Sequence, residues 1–242
     1  MKHKEYTRAR LANGPRFFIN KPVRELSEAV LRRLKVAHNT TKCMVYGSRK
    51  AAQECATIIR KTSGNQSIAE VVEFAMPSAS DLGNGTAHWA SFTAVLFPED
   101  QWKEAMAFWR DTGTGMSTRH APFCIEELDY LESKSPNPEF QTPASRGRDN
   151  GQVSQLLASV CSAAASIPVV KSFIGKMVTS EQQGQPAVNP DDVFLYPNGT
   201  NAIYSLSQTL ASPNSEYTVI SYGYGTSQLL FSFMISVSSH AV

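Results

Sequence analysis

The residues whose types and spacing come closest to chemistry run from Asp192 to Leu206, Asp-Val-Phe-Leu-Tyr-Pro-Asn-Gly-Thr-Asn-Ala-Ile-Tyr-Ser-Leu. Val193 to Tyr196 is an apolar run of strand character, Pro197-Asn198-Gly199 is a tight turn, and a helix is expected to start near Thr200. Where a strand enters a helix through glycine, backbone N–H groups without intrahelical partners converge with the positive end of the helix dipole. A phosphate can approach there because Gly199 has no Cβ. Gly199 and Thr200 are therefore a candidate anion-binding pair. Taken alone the turn also has a purely structural reading, since any α/β protein holds several strand-glycine-helix turns and most carry no ligand. The chain has no G-x-G-x-x-G, no Walker A sequence and no nucleophile elbow.

The elements that must position this turn can be read along the chain. A helix is expected from Pro22, with Val23, Leu26, Val30, Leu31 and Leu34 on one face and Arg24, Glu25, Arg32 and Arg33 away from it. Cys43 to Tyr46 reads as a short strand, Gly47-Ser48 as a turn and Ala51 to Arg60 as a helix. Ile68 to Phe74 and Phe92 to Phe97 read as two sheet strands, separated by a Ser, Gly and Asn loop around Asp81 to Thr86. Pro98-Glu99-Asp100 opens a helix whose Trp102, Ala105, Met106 and Trp109 form one expected core face. Residues 133–150 have the composition of an exposed linker or insertion. A helix with Val153, Leu156, Leu157, Val160, Cys161 and Ala164 on one stripe follows, then a polar loop from Glu181 to Asp192. Tyr217 to Ser221 is expected to join Val193 to Tyr196 in a mostly parallel sheet.

Composition bounds the function classes. The chain has 242 residues, 42% of them apolar and 18% charged, with a net charge of +2. That excludes collagen, coiled coil and wholesale disorder. Residues 1–60 are strongly basic, whereas no lysine or arginine follows Lys176 and no charged side chain follows Glu216. The basic start admits a transit peptide or a nucleic-acid arm, but a solvated surface is preferred, since aromatic interleaving stops at Tyr6, Phe17 and Phe18 and no nucleic-acid motif follows. No apolar stretch is long enough to span a bilayer, and Met1-Lys2-His3-Lys4-Glu5 lacks the apolar region of a secretory signal. A cytoplasmic protein without nucleic-acid or membrane partners is expected. Cys43, Cys55, Cys124 and Cys161 contain no C-x-x-C pair, so buried structural thiols are expected, with no metal site.

Several segments, in order, resemble the fungal cystathionine γ-synthase-like enzymes of the Cys/Met-metabolism group. They are Pro15-Arg16-Phe17-Phe18-Ile19-Asn20-Lys21-Pro22, Ala94-Val95-Leu96-Phe97-Pro98, Phe108-Trp109, Thr112-Gly113-Thr114-Gly115-Met116-Ser117-Thr118-Arg119-His120-Ala121, and the turn at Tyr196-Pro197-Asn198-Gly199-Thr200. The last is similar to the family's Tyr-Pro-Thr-Gly-Met-x-Ala-Ile signature. The resemblance covers about residue 11 to about residue 224 and implies an N-terminal α/β extension (1–132), a linker (133–150), the incomplete start of a fold type I, aspartate aminotransferase-like large domain (151–224), and a tail outside the family (225–242). It implies pyridoxal 5′-phosphate (PLP) as cofactor, amino-acid substrates and a homo-oligomer. Gly199 and Thr200 would hold the PLP phosphate through their N–H groups, with Thr in place of the family's Met. Arg119 matches, through Ser117-Thr118-Arg119, an arginine that reaches the phosphate of a neighbouring subunit, although Ser117 replaces the family's Tyr. A surface arginine is the alternative, and Arg16 competes for the role.

The same resemblance implies a Schiff-base lysine far downstream of the turn and an Asp for the pyridinium nitrogen. Lys176, Asp191 and Asp192 all precede the turn, so no catalytic residue is assigned. Tyr222 and Tyr224 either stack on the PLP ring or pack as strand residues. The expectation is a truncated product, residues 225–242 coming from an unspliced intron or shifted frame. The function implied is γ-replacement on an activated homoserine by cysteine, with this chain inactive. The alternatives are a non-catalytic fold, dimer or partner-binding fragment, and a nucleic-acid binder working through residues 1–60.

Overall fold

Pro22 in the first turn, a face of Val23, Leu26, Val30 and Leu31 that is buried, and Arg32 and Arg33 at the dipole-favoured C-terminal end make Lys21–Arg33 the first helix, α1. It opens a computed structural model that describes residues 18–37, 39–77, 90–147 and 165–210. There follow strand β1 (Thr41–Tyr46), helix α2 (Arg49–Ser63), strands β2 (Glu70–Ala75) and β3 (Phe92–Pro98), helices α3 (Trp102–Thr112) and α4 (His120–Glu127), and strand β4 (Glu132–Lys134). Helix α5 covers 165–178 and α6 covers Gly199–Leu210. The tail, the Tyr217 to Ser221 strand, the 81–86 loop and the helical stripe from Val153 to Ala164 lie outside the described residues.

The sheet runs β1-β3-β2-β4 and every pairing in it is antiparallel. Its centre is β3, buried along Phe92 to Phe97. Because strand side chains alternate, Phe92, Ala94 and Leu96 enter one apolar cluster with α1 and α4, while Val95 and Phe97 enter a second with α2 and α3. Phe74 lies opposite Phe92, and their rings stack at 4.8 Å. Ser48 caps α2 by accepting from the Ala51 N–H, and Gly64 ends it in the left-handed region at φ 68°. Arg33 fastens α1 to the chain that follows α4, donating to the carbonyls of Leu128, Leu131 and Pro143. Burial lowers its pKa, opposed by the neighbouring Asp129 carboxylate.

Three expectations are corrected. Val193 to Tyr196 forms no strand: Val193 is buried, but Phe194, Leu195 and Tyr196 are exposed in irregular chain after a 3-10 turn at Pro190–Asp192. An apolar run becomes a strand only with a neighbour to hydrogen-bond, and none of the described strands lies beside it. The expected core face of α3 is also rotated. Ala105, Phe108, Asp111 and Thr112 are buried, Trp102 is 38% exposed, and Trp109 is half-buried. Finally, the start of the polar 133–150 stretch belongs to the sheet, since Glu132–Lys134 is the strand paired to β2. Ser133 is buried there because its hydroxyl donates to the Phe140 carbonyl and its neighbour Thr142 bridges back to it. Polar composition permits burial when each hydroxyl has a local backbone partner.

Cys43, Cys55 and Cys124 are free, buried thiols, as expected, whereas Cys161 lies outside the described residues. Burial pushes each of the three up to about 12. In the unfolded chain a thiol titrates near ~8.5, so above that pH the unfolded state loses protons that the folded state keeps. The stabilising contribution is whole below pH ~8.5 and is lost as pH rises toward 12. Urea titrations should give a constant midpoint from pH 6 to about 8 and a falling one from about 9 upward, and a thiol reagent at pH 8 should label these three only at the rate of unfolding. Rapid labelling of the folded chain at Cys55 would contradict the packing.

Candidate functional site

The turn before α6 has the expected helix start, and its local order comes from Asn198. That residue's Oδ1 accepts the Asn201 N–H at 2.9 Å and its carbonyl accepts Ala202 N–H at 3.1 Å, the bonding of an N-cap. The N–H groups of Gly199 and Thr200 have no acceptor among the described residues, and the space where a Gly199 Cβ would sit is open. Two backbone donors therefore point outward at the positive end of a helix.

The turn is seated on the end of α3. Asn198 Nδ2 donates to the Gly113 carbonyl at 2.9 Å, and Asn201 Nδ2 reaches the Thr112 carbonyl at 3.5 Å. Gly113 is the C-cap of α3 at φ 63°, and a Cβ there would stand 2.5 Å from Asn198 Oδ1, 2.8 Å from the Asn201 nitrogen and 2.9 Å from Thr200 Cβ. Both the left-handed backbone and the close approach require glycine. Gly115, two residues on, faces the Trp109 indole so closely that a side chain there would overlap it. The negative end of α3 thus meets the positive end of α6, a favourable alignment of dipoles.

A second contact holds α6 to α2. The Tyr204 hydroxyl donates to Glu54 Oε2 at 3.1 Å, and Lys50 stands 3.8 Å from the same carboxylate. Burial, reinforced by the Glu54 charge, drives the Tyr204 pKa upward. Between the helices lies a groove of about 520 Å³ lined by Lys50, Glu54, Thr114, Asn201, Tyr204 and other polar side chains. Gly199 and Thr200 are not among the groove's lining residues. Arg119 is exposed at the start of α4, its N–H bonded to Ser117 Oγ, and no contact joins it to the Gly199 turn among the described residues. Arg16 lies outside the described residues. Sequence reasoning thus missed Gly113, Asn198 and Asn201 as a unit; the Gly-x-Gly spacing at Gly113 and Gly115 was the available signal.

Residues 22–117 match the family described as fungal trans-sulfuration enzyme, N-terminal domain. The sheet domain is thereby placed in a known class. Residues 22–117 therefore form an N-terminal domain of the fungal trans-sulfuration type, and the chain as a whole is similar to fungal cystathionine gamma-synthase-like proteins. It is similar to a cystathionine gamma-synthase-like protein of Aspergillus thermomutatus, 32% identical over 212 residues, which covers 87% of this chain and 36% of that protein. A cystathionine gamma-synthase-like enzyme of Amanita muscaria is 25% identical over 91% of this chain and 41% of its own length. An alanine racemase of Aspergillus violaceofuscus is 27% identical over 85% of this chain and 38% of its own. The chain thus spans well under half the length of these relatives. No solved structure matches.

The family implies dependence on PLP in general. The turn fits the phosphate end of that group, because two N–H groups at a helix start have no acceptor among the described residues and the Gly199 position carries no side chain. The lysines of the chain all precede the turn in the sequence. Among the described residues there is also no group of three or more His, Cys, Asp or Glu able to hold a metal ion, and no helix long and apolar enough to cross a membrane.

Gly113→Ala should cost about 2–4 kcal/mol, the sum of a strained left-handed residue and a forced separation of the turn. Asn198→Ala should cost ~1 kcal/mol as a lost cap. Gly147→Ala, at a position with open space, is the control and should change little. Denaturant melts of the three variants provide the check, with hydrogen exchange of the α6 amides reporting whether the seam has opened.

Proposed function

We propose that these 242 residues supply the N-terminal domain and the phosphate turn of a PLP-dependent trans-sulfuration-type enzyme, acting by γ-replacement on an activated homoserine with cysteine as the incoming group. The observation that carries the reading is the coincidence of the family match at 22–117 with the sheet domain on which the Gly199 turn is seated. When bound, PLP withdraws electrons from the substrate's α-carbon. Within this chain the N–H groups of Gly199 and Thr200 receive the phosphate, Asn198 holds the turn in its capped form, and Gly113 fixes its position against α3. Arg119, exposed just before α4, is available to a phosphate on a neighbouring subunit. No residue here takes the part of the lysine that bonds the cofactor's aldehyde, so the 242 residues alone are inactive in γ-replacement.

A second reading, a non-catalytic module working by contact with another chain, is favoured by α5. Its Ile167, Val169, Phe173, Met177 and Val178 are all roughly half to two-thirds exposed. Co-elution with a longer family member in size exclusion supports this module, and independent elution counts against it.

The leading reading is tested on the chain as it stands. Inorganic phosphate and PLP should each perturb the Gly199 and Thr200 amide resonances, and borohydride reduction after PLP addition should leave no single lysine stoichiometrically modified. Stoichiometric pyridoxyl labelling of one lysine with turnover would refute inactivity, and unperturbed amides would remove the turn from cofactor binding.

A further inference from the structure

Strand β1 is one edge of the sheet, and its two halves are treated differently. The carbonyl of Thr40 accepts the Glu99 N–H at 3.2 Å, which makes Thr40 and Glu99 a hydrogen-bonded pair in the register that places Thr41 opposite Pro98. By the alternation of an antiparallel ladder, Lys42, Met44 and Tyr46 also bond toward β3, while Thr41, Cys43 and Val45 turn their backbone groups outward. The outward carbonyl of Val45 is taken by Met116 N–H at 3.1 Å, and Tyr46 bridges Gly115, so the second half of the edge is covered. The first half is not so covered by any of the described residues. The Thr41 N–H goes to the Ala37 carbonyl at 3.2 Å, which leaves the Thr41 carbonyl and both backbone groups of Cys43 without a partner among the described residues.

A groove of about 330 Å³ lies over that open half. It straddles the edge of the sheet: Leu31 comes from α1 on one face, Trp102 from α3 on the other, and Ile19, which packs against both apolar clusters, closes one part. Three cations line it, Arg24, Arg32 and Lys42, against one acid, Glu28. Glu28 and Arg32 are 3.9 Å apart with both side chains about 60% exposed, a pair of little strength, and Lys42 has Glu99 at 3.0 Å. An exposed tryptophan on a rotated helix face, an unpaired strand edge and an excess of positive charge thus occur at one place.

The geometry points to a docking site for an extended, acidic segment of another protein chain, added as a fifth strand outside β1. The segment's backbone would pair with Thr41 and Cys43, its apolar side chains, all on one face, would lie on Trp102, and its carboxylates, on the other face, would meet Arg24 and Arg32 of α1. Charge decides among occupants. A second copy of this edge would bring the same cations face to face, and the chain's own first 17 residues carry Lys2, Lys4, Arg8, Arg10 and Arg16 against Glu5 alone. Both are repelled where an acidic strand is attracted.

The test uses the full chain and a short synthetic peptide alternating Glu with Val. Binding is followed by tryptophan fluorescence, assigned with Trp102→Phe, and by hydrogen exchange at the Cys43 amide. The Glu peptide should bind saturably, slow Cys43 exchange, and weaken as salt rises. Arg24→Glu together with Arg32→Glu, both surface changes whose folding is checked by circular dichroism, should weaken it by about tenfold or more. A Lys-for-Glu peptide, or one with proline at the residue pairing Cys43, should not bind. Equal binding by the Lys peptide, unchanged Cys43 exchange, or no binding of the Glu peptide would overturn the assignment. So would Cys43 protection that grows with protein concentration alone, which would identify a second copy.

Discussion

Strand β3 is hydrogen-bonded on both sides and buried on both faces, and the rest of the domain follows from that. A strand buried in six consecutive positions, five of them apolar, cannot leave either face in water, so each must be covered by a helix pair. One pair is α1 with α4 and the other is α2 with α3, which is why all these helices except the short α4 have a clear apolar stripe. Each fully buried aromatic of this layer, such as Phe74, contributes about 1.5–3 kcal/mol. Arg33 then ties α1 to the chain that follows α4, its guanidinium donating to the carbonyls of Leu128, Leu131 and Pro143.

With β3 at the centre, β1 and β4 must be the edges, and the fold deals with them by local chain. Beyond β4, Thr142 bridges Ser133 and returns its hydroxyl to it. Along the second half of β1, the segment after α3 comes back to pair at Gly115 and Met116. That return needs Gly113 to reverse the chain and Gly115 to let it pass under Trp109. The same reversal exposes the Thr112 and Gly113 carbonyls on which the α6 turn sits. A single backbone constraint therefore finishes a sheet edge and creates a seat for another helix.

The sequence was legible where side chains repeat with the period of one element and face one partner. The α1 stripe, the strands around Met44 and Val95 and the α2 helix were readable for that reason. It was misleading where the outcome depends on what lies across from a residue. Val193 to Tyr196 has strand composition but no strand beside it among those described, and polar residues 133–142 have loop composition but partners for their hydroxyls. The α3 face was misread because Trp102 weighs heavily in any apolar count, whereas Ala105 and Phe108 are buried in the cluster with α2 and Met106 and Trp109 pack only partly buried against it. Glycines 199 and 113 show the same contrast within one site. Gly199 was legible from its place in a turn, but Gly113, besides capping α3, acquires its part in the site from Asn198 and Asn201, 85 and 88 residues away in sequence.

This long-range contact bears on how the domain relates to the turn. A cap such as Asn198 sets the internal geometry of a helix start but leaves the helix free to move as a body. Here the same side chain uses its oxygen for the cap and its nitrogen for Gly113, so forming the cap and docking the helix are one event. The Tyr204 to Glu54 bond fixes a point one turn further along, on the opposite helix of the same layer. Two contacts separated along a helix axis determine direction as well as position. The outward N–H pair of Gly199 and Thr200 is consequently aimed by α2 and α3, and the N-terminal domain acts on whatever the turn binds by setting where those donors point.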